Sequence, residues 1–261
     1  MTEKGPLLSV RDLRVSLRGR TLASLPELEL GAGECVSLVG ESGSGKTTSL
    51  MTVLGLNRGS GLHCEGGISL FGIDPLTASE GRLRGIRGRR VSLIMQSPQS
   101  ALNPTLKLGA LLMRVLAAHG IGKSDARTRM SEAFASVRLA DDLADRYPHQ
   151  VSGGQAQRFA IALALALGSE MIAADEPTSA LDMTVQAEIT ALLQELCRDR
   201  GLGLLLVSHD LALVSTLADR VVVMKDGEVV DSADTVRVLT RPSSSYTVEL
   251  INAGLSLGGG A

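Results

Sequence analysis

The stretch Cys35-Val-Ser-Leu-Val39-Gly40-Glu-Ser-Gly-Ser-Gly45-Lys46-Thr47 decides how this chain is read. Its first five residues are an apolar run of buried-strand length. The next eight match the pattern G-x-x-x-x-G-K-[ST] in full. From Lys46 to about Leu54 the pattern is helical. A strand that breaks into a Gly-rich turn and restarts as a helix aims several backbone N–H groups into one concavity. The concavity lies at the positive end of the helix dipole, where phosphate oxygens are the fitting ligand. Glycine lets those groups turn inward with no side chain in the way. In this pattern Lys46 reaches the β- and γ-phosphates of a nucleotide and Thr47 ligates Mg²⁺. Gly40, Glu41, Ser42, Gly43, Ser44 and Gly45, with Thr48 just inside the helix, complete the cradle. The competing reading, an ordinary Gly-rich turn, lacks a reason for the strand before and the helix after.

Outward from the loop, Leu8–Leu17 alternates apolar and polar residues and reads as a half-exposed strand, with Leu28–Leu30 as its hairpin partner. Gly67–Phe71 and Val91–Met95 read as further strands. From about Ser97 to Leu167 the pattern is mostly helical, with Ser124–Val137 a helix capped by Ser124. Strands return at Met171–Asp175, Gly203–Val207 and Val221–Met224, separated by helices at Thr184–Arg200 and Leu211–Ala218. Strands alternating with helices imply a parallel sheet with crossovers. The expected fold class is α/β: a mostly parallel sheet with flanking helices, an N-terminal antiparallel β element, and an inserted helical subdomain over residues 97–168. Residues 1–261 read as one domain, with residues 254–261 a flexible Gly-rich tail.

Composition narrows the possibilities. Hydrophobic residues make up 44% of the 261, aromatics 2%, and Trp is absent, so the core is aliphatic, as suits a buried parallel sheet. A net charge of −2 supplies no global field toward nucleic acid or anionic lipid. The basic run Arg82-Leu-Arg84-Gly-Ile-Arg87-Gly-Arg89-Arg90 is a solvated surface segment or, less readily, a nucleic-acid patch, since no aromatics interleave it for base stacking. Cys35, Cys64 and Cys197 sit at no metal-ligand spacing and fit a reducing compartment. No run approaches the ~18 apolar residues of a membrane span. A membrane role therefore needs a partner.

Met171-Ile-Ala-Ala-Asp175-Glu176 is an apolar strand ending in two acids. Strand ends are where open α/β sheets bind ligands. Asp175 is placed to hold Mg²⁺ through water, and Glu176, one residue beyond, to meet an attacking water. A capped strand end is the plainer alternative for such a pair.

Val151-Ser152-Gly153-Gly154-Gln155, opening the Ala-rich helix Ala156–Leu167, resembles the LSGGQ signature of ATP-binding-cassette ATPases. Alone it could be a capped helix. The other motifs of that family follow in order. Gln96 resembles its Q-loop glutamine, a contact for Mg²⁺ and water. Ser179-Ala-Leu181-Asp182 resembles the D-loop, and His209 the switch histidine on the γ-phosphate. The resemblance runs from Leu8 to about Val248. It implies hydrolysis of ATP to ADP and phosphate, with Glu176 as base, Lys46 and His209 acting on the γ-phosphate, and Gln96 on Mg²⁺ and water. It also implies a head-to-tail dimer. Ser152, Gly153, Gly154 and Gln155 of one subunit, with Asp182, then meet the nucleotide held by the other. One departure is the missing aromatic at the end of the first strand, where Leu17 stands; adenine then rests on aliphatic groups or an Arg plane.

Gln96-Ser-Pro-Gln-Ser-Ala-Leu-Asn103-Pro104 is similar to a segment of the dipeptide, oligopeptide and nickel importer ATPases. The absence of a C-terminal cysteine cluster points toward the short nickel or metal-chelate type. The partners so implied are a second, non-identical ATPase subunit, two transmembrane permeases and, through them, an extracytoplasmic substrate-binding protein. The place implied is the cytoplasmic face of the inner membrane, with no nucleic acid involved. Two other classes stay open: an accessory ATPase of a soluble enzyme complex such as carbon–phosphorus lyase, and a DNA-repair or translation ATPase. The last is disfavoured because no long coiled coil or second cassette is present.

Overall fold

The computed structural model describes residues 5–258, the last five of them by backbone alone. In chain order the elements are β1 (Leu8–Leu17), β2 (Arg20–Leu30), β3 (Cys35–Val39), α1 (Lys46–Val53), β4 (His63–Leu70), α2 (Glu80–Ile86), β5 (Val91–Ile94), α3 (Pro98–Ala101), α4 (Leu108–Ala118) and α5 (Lys123–Ser136). They continue with α6 (Gly153–Leu167), β6 (Met171–Asp175), α7 (Met183–Arg200), β7 (Gly203–Ser208), α8 (Leu211–Leu217), β8 (Arg220–Lys225), β9 (Glu228–Asp234), α9 (Thr235–Thr240) and α10 (Ser245–Gly258). The fold is α/β. It divides into two compact units, one formed by the chain up to Gly85 together with Leu196 onward, the other by Ile86–Glu195.

In the first unit β1 lies between β2 and β4, antiparallel to both. β2 is far longer than the expected partner Leu28–Leu30. It pairs from Leu8↔Leu30 to Leu17↔Arg20 across a two-residue turn, Arg18 (φ 50°) and Gly19 (φ 80°). Positive φ at both positions is what a tight turn between twisted strands requires. Pro26 hid this strand from the periodicity. It lacks an N–H, and it stands on an edge strand level with Asp12 (φ 49°), where the pairing of β1 is interrupted.

In the same unit β3 runs parallel between β7 and β8, and β9 closes the edge antiparallel to β8. Every position of β3 and β7 is buried, as in a parallel sheet covered on both faces. Helix α1 packs against β1, β2, β4 and β7, and α8 against β3 and β7. The second unit pairs β5 with β6 in parallel and collects helices α3 to α6 between them in sequence. Phe134 of α5 and Phe159 of α6 meet edge-to-face, with centroids 6.1 Å apart. Arg158 donates to the Val137 carbonyl (2.9 Å) and to Glu188 (2.7 Å), joining α6 to α5 and α7.

Several boundaries differ from expectation. Helix α5 begins at Lys123 with Gly122, not Ser124, at the cap position and no side-chain cap bond. Glycine tolerates the extended cap geometry nearly as well as a capping hydroxyl. β5 stops at Ile94, so Gln96 lies two residues beyond it. β4 begins at His63 rather than Gly67 and ends at Leu70, because Phe71 turns to positive φ (51°). Helix α10 continues to Gly258, into the segment expected to be a tail; residues 259–261 lie outside the described ones.

The turn before α10 is held by a buried carboxylate. Asp231 of β9 accepts from the Ser243 N–H (2.7 Å) and from Arg237. Burial alone would push its carboxyl up, but the Ser243 and Arg237 bonds outweigh it and hold the carboxyl below its ordinary value of 3.8. A depressed folded value stabilises the fold above the unfolded value, and the contribution is lost as pH falls through the folded one. Asp231→Asn is expected to cost about 2 kcal/mol at neutral pH. Thermal unfolding as a function of pH should show the gap to wild type closing only below about pH 4.

Candidate functional site

The phosphate loop leaves β3 at Val39 and enters α1 at Lys46. Gly40 has φ 148°, and a Cβ there would lie 2.1 Å from the Met224 carbonyl and 2.8 Å from Ser44 Oγ. Gly45, at the cap of α1, has φ 99°, and its Cβ would lie 2.5 Å from the Leu22 carbonyl. Both glycines are therefore demanded by backbone that cannot retreat. The loop is tied to its surroundings by Gly227 N–H on the Ser44 carbonyl (3.2 Å) and Ser24 N–H on the Gly227 carbonyl (2.6 Å). Lys46 is 5% exposed, and its ammonium donates to the Gly40 (2.8 Å) and Glu41 (2.7 Å) carbonyls and to Ser44 Oγ (3.3 Å). The cation thus lies across the loop's own hollow. Ser44 is buried and Thr48 half-buried, while Glu41, Ser42, Gly43 and Thr47 face solvent. His209 is in the same unit, exposed just beyond β7. The next residue, Asp210, caps α8 by accepting from Ala212 N–H (2.8 Å) and Leu213 N–H (3.2 Å), which fixes the backbone that carries the imidazole. Leu17 is 39% exposed at the end of β1.

The second unit carries the acids, the glutamine and the signature. Asp175 is the last residue of β6 and is buried. Glu176 turns to φ 47°, an unfavourable region for a side-chain-bearing residue, and is half-buried. The two neighbouring carboxylates therefore differ in burial because the strand ends between them. Ser179 holds the turn by donating both its N–H (3.3 Å) and its hydroxyl (3.1 Å) to the Glu176 carbonyl. Asp182 is exposed and accepts from Val185 N–H (3.0 Å), so it caps the start of α7. Gln96 is exposed between β5 and α3.

The signature forms a reciprocal helix cap. Ser152 Oγ accepts from Gln155 N–H (3.2 Å), and Gln155 Oε1 accepts from Ser152 N–H (2.9 Å). Their hydrogen bonds fix the N-terminus of α6 and leave its first backbone N–H groups pointing outward. Gly153 and Gly154 are small because the turn before α7 and its first residues lie against them: their Cβ atoms would be 3.2 Å from Leu181 Cδ2 and 2.4 Å from Val185 Cγ1. Sequence reading did not single out Gln99. Its amide donates to the Pro148 (2.8 Å) and Val151 (3.3 Å) carbonyls, joining the segment after Gln96 to the entry of the signature. Those partners are 49 and 52 residues away, and no local pattern signals them.

Among the described residues, no helix is long and apolar enough to cross a membrane. A family model described as ABC transporter matches residues 25–179. The "Probable D,D-dipeptide transport ATP-binding protein DdpD" of Escherichia coli (strain K12) is 40% identical over 256 residues, 94% of this chain and 77% of that protein. The "Oligopeptide transport ATP-binding protein AppD" of Bacillus subtilis (strain 168) is 39% identical over 231 residues, 87% of this chain and 70% of that protein. Among solved structures, a dimeric post-hydrolysis state of the ATP-binding cassette MJ0796, bound to ADP and Pi, superposes with a TM-score of 0.75. It is 28% identical and covers 87% of this chain and 98% of that one. A phosphate loop closed by required glycines, a family match across more than half of the chain and relatives this similar along most of its length have one common explanation: the chain belongs to the ABC transporter family and is one of its ATP-hydrolysing subunits.

Proposed function

We propose that the chain drives an importer of peptides, working at the cytoplasmic face of the membrane with two permeases, a second and non-identical ATPase and an extracytoplasmic binding protein. The observation that carries this reading is the segment Gln96 to Pro104, similar to that of peptide and nickel importers, in a chain whose relatives are named for D,D-dipeptide and oligopeptide transport. Those names favour peptides over nickel as the cargo. Neither is named for a soluble enzyme complex.

The chemistry follows from the residues. Phosphoryl transfer to water needs positioning and charge stabilisation. Lys46 and the loop N–H groups hold the β- and γ-phosphates. Glu176 takes the proton of the attacking water, and His209 steadies the γ-phosphate. Thr47, Asp175 and Gln96 offer a hydroxyl, a carboxylate and an amide oxygen, hard donors that fit Mg²⁺. They would hold that ion, which neutralises phosphate charge when bound. The outward N–H groups at the start of α6, with Ser152, suit the phosphate of a nucleotide held by a partner cassette, and Asp182 stands at that boundary.

The test is copurification of the tagged chain from membranes, followed by ATPase assay of the complex in vesicles. Two permeases should come down with it, and hydrolysis should rise when a binding protein loaded with di- or oligopeptide is added. Copurification with soluble enzyme subunits alone, or stimulation only by a nickel-loaded binding protein, would overturn the peptide reading.

A further inference from the structure

A buried tyrosine far along the chain touches the phosphate loop. The Glu41 N–H donates to the Tyr246 hydroxyl at 3.0 Å, across 205 residues of sequence. Tyr246 lies in the first turn of α10 and is 5% exposed. Lys225 Nζ stands 4.7 Å from its ring centroid. Burial pushes the hydroxyl upward, so it stays neutral and able to accept.

The peptide involved is informative. The N–H of Glu41 and the carbonyl of Gly40 belong to one planar amide. Tyr246 holds its N–H, and Lys46 donates to its carbonyl at 2.8 Å. The direction of that carbonyl helps set where the Lys46 ammonium lies. Gly40 cannot anchor the plane through a side chain. The tyrosine is anchored in turn, because the Asp231 bonds to Ser243 and Arg237 fix the turn that leads into α10.

We propose that Tyr246 is a positioning residue for nucleotide binding: its hydroxyl locks the Gly40–Glu41 peptide and so keeps the phosphate loop and Lys46 in phosphate-ready form. The C-terminal helix thereby becomes part of the apparatus that binds ATP. This rests on the loop being the nucleotide site.

Tyr246→Phe removes the hydroxyl and keeps the ring. The purified chain should bind ATP three- to tenfold more weakly, the range expected for one lost hydrogen bond of about 0.5–1.5 kcal/mol. The Glu41 amide should exchange with solvent about three- to tenfold faster, by the same measure. In the assembled complex the loss should fall on KM, with kcat at saturating ATP within about twofold, since ground-state binding is what changes. Lys225→Met, which keeps the hydroxyl, should leave ATP affinity within about twofold, as expected for an exposed cation–π contact. Unchanged affinity and amide exchange in Tyr246→Phe would overturn the proposal. So would an equal loss in Lys225→Met, because ring packing and not the hydroxyl would then be at work. Lys46→Ala serves as reference. If it binds ATP like wild type, the loop is not the nucleotide site and the proposal falls with that reading. If it is crippled while Tyr246→Phe is normal, only the proposal falls.

Discussion

Glu176→Gln is expected to lower ATP hydrolysis by the assembled complex at least about a hundredfold while leaving ATP bound. An amide cannot accept the proton of the attacking water, and general bases of this kind contribute about 10²–10⁴ in rate. The substitution is also clean. Glutamine has the shape of glutamate, so the positive φ (47°) and the Ser179 bonds to the residue-176 carbonyl are kept. ATP affinity should therefore stay near wild type, because Lys46 and the loop amides are untouched. Equilibrium binding and steady-state turnover, measured on the same preparation, separate the two effects. A variant that keeps most of its turnover would remove Glu176 from the role of base.

Gly40→Ala should be the most damaging single-methyl change in the phosphate loop. The added Cβ would lie 2.1 Å from the Met224 carbonyl, which belongs to a buried, paired strand. The φ of 148° adds strain of roughly 1–3 kcal/mol. Overpacking adds roughly 1–3 kcal/mol more. Either the loop moves and ATP affinity falls about a hundredfold or more, or the fold yields and the melting temperature falls sharply. Gly43→Ala is the matched comparison. Its φ is also positive (85°), but no atom lies within 4 Å of the new Cβ, so only the backbone strain remains. Thermal unfolding and ATP binding of the two variants side by side decide the matter. If they behave alike, close approach to Met224 is not what requires glycine at position 40.

What was readable in advance follows from how local each feature is. The phosphate loop, the acids after β6 and the signature each occupy a few consecutive residues whose conformation is set by neighbours: strand, glycine turn, helix start. The strand Met171–Asp175 was bounded correctly because an apolar run ends abruptly in charge. β2 was underestimated because Pro26 and its polar residues break the alternation, although pairing with β1 compensates. β9 was missed because it is an edge strand with charged, partly exposed positions, and only its partner β8 makes it a strand. The Gln99 bonds to Pro148 and Val151, and the Tyr246 bond to Glu41, join residues far apart in sequence. No window of local pattern can contain such pairs. The Gln96 segment was legible as a motif, but not its tie to the signature entry, which depends on where the intervening helices bring the chain back.

The scarcity of aromatic residues has an optical consequence. The chain has no Trp and two Tyr, so its near-ultraviolet emission comes from tyrosine alone, undiminished by transfer to an indole. One emitter, Tyr147, is stacked on His149 at 5.6 Å in the second unit. The other, Tyr246, is hydrogen-bonded to the phosphate loop beneath an ammonium group. A nucleotide that draws Lys46 off the Gly40 carbonyl alters the surroundings of Tyr246. The unlabelled protein therefore carries its own light signal for occupancy of the loop, and Tyr147→Phe would leave that signal alone in the spectrum.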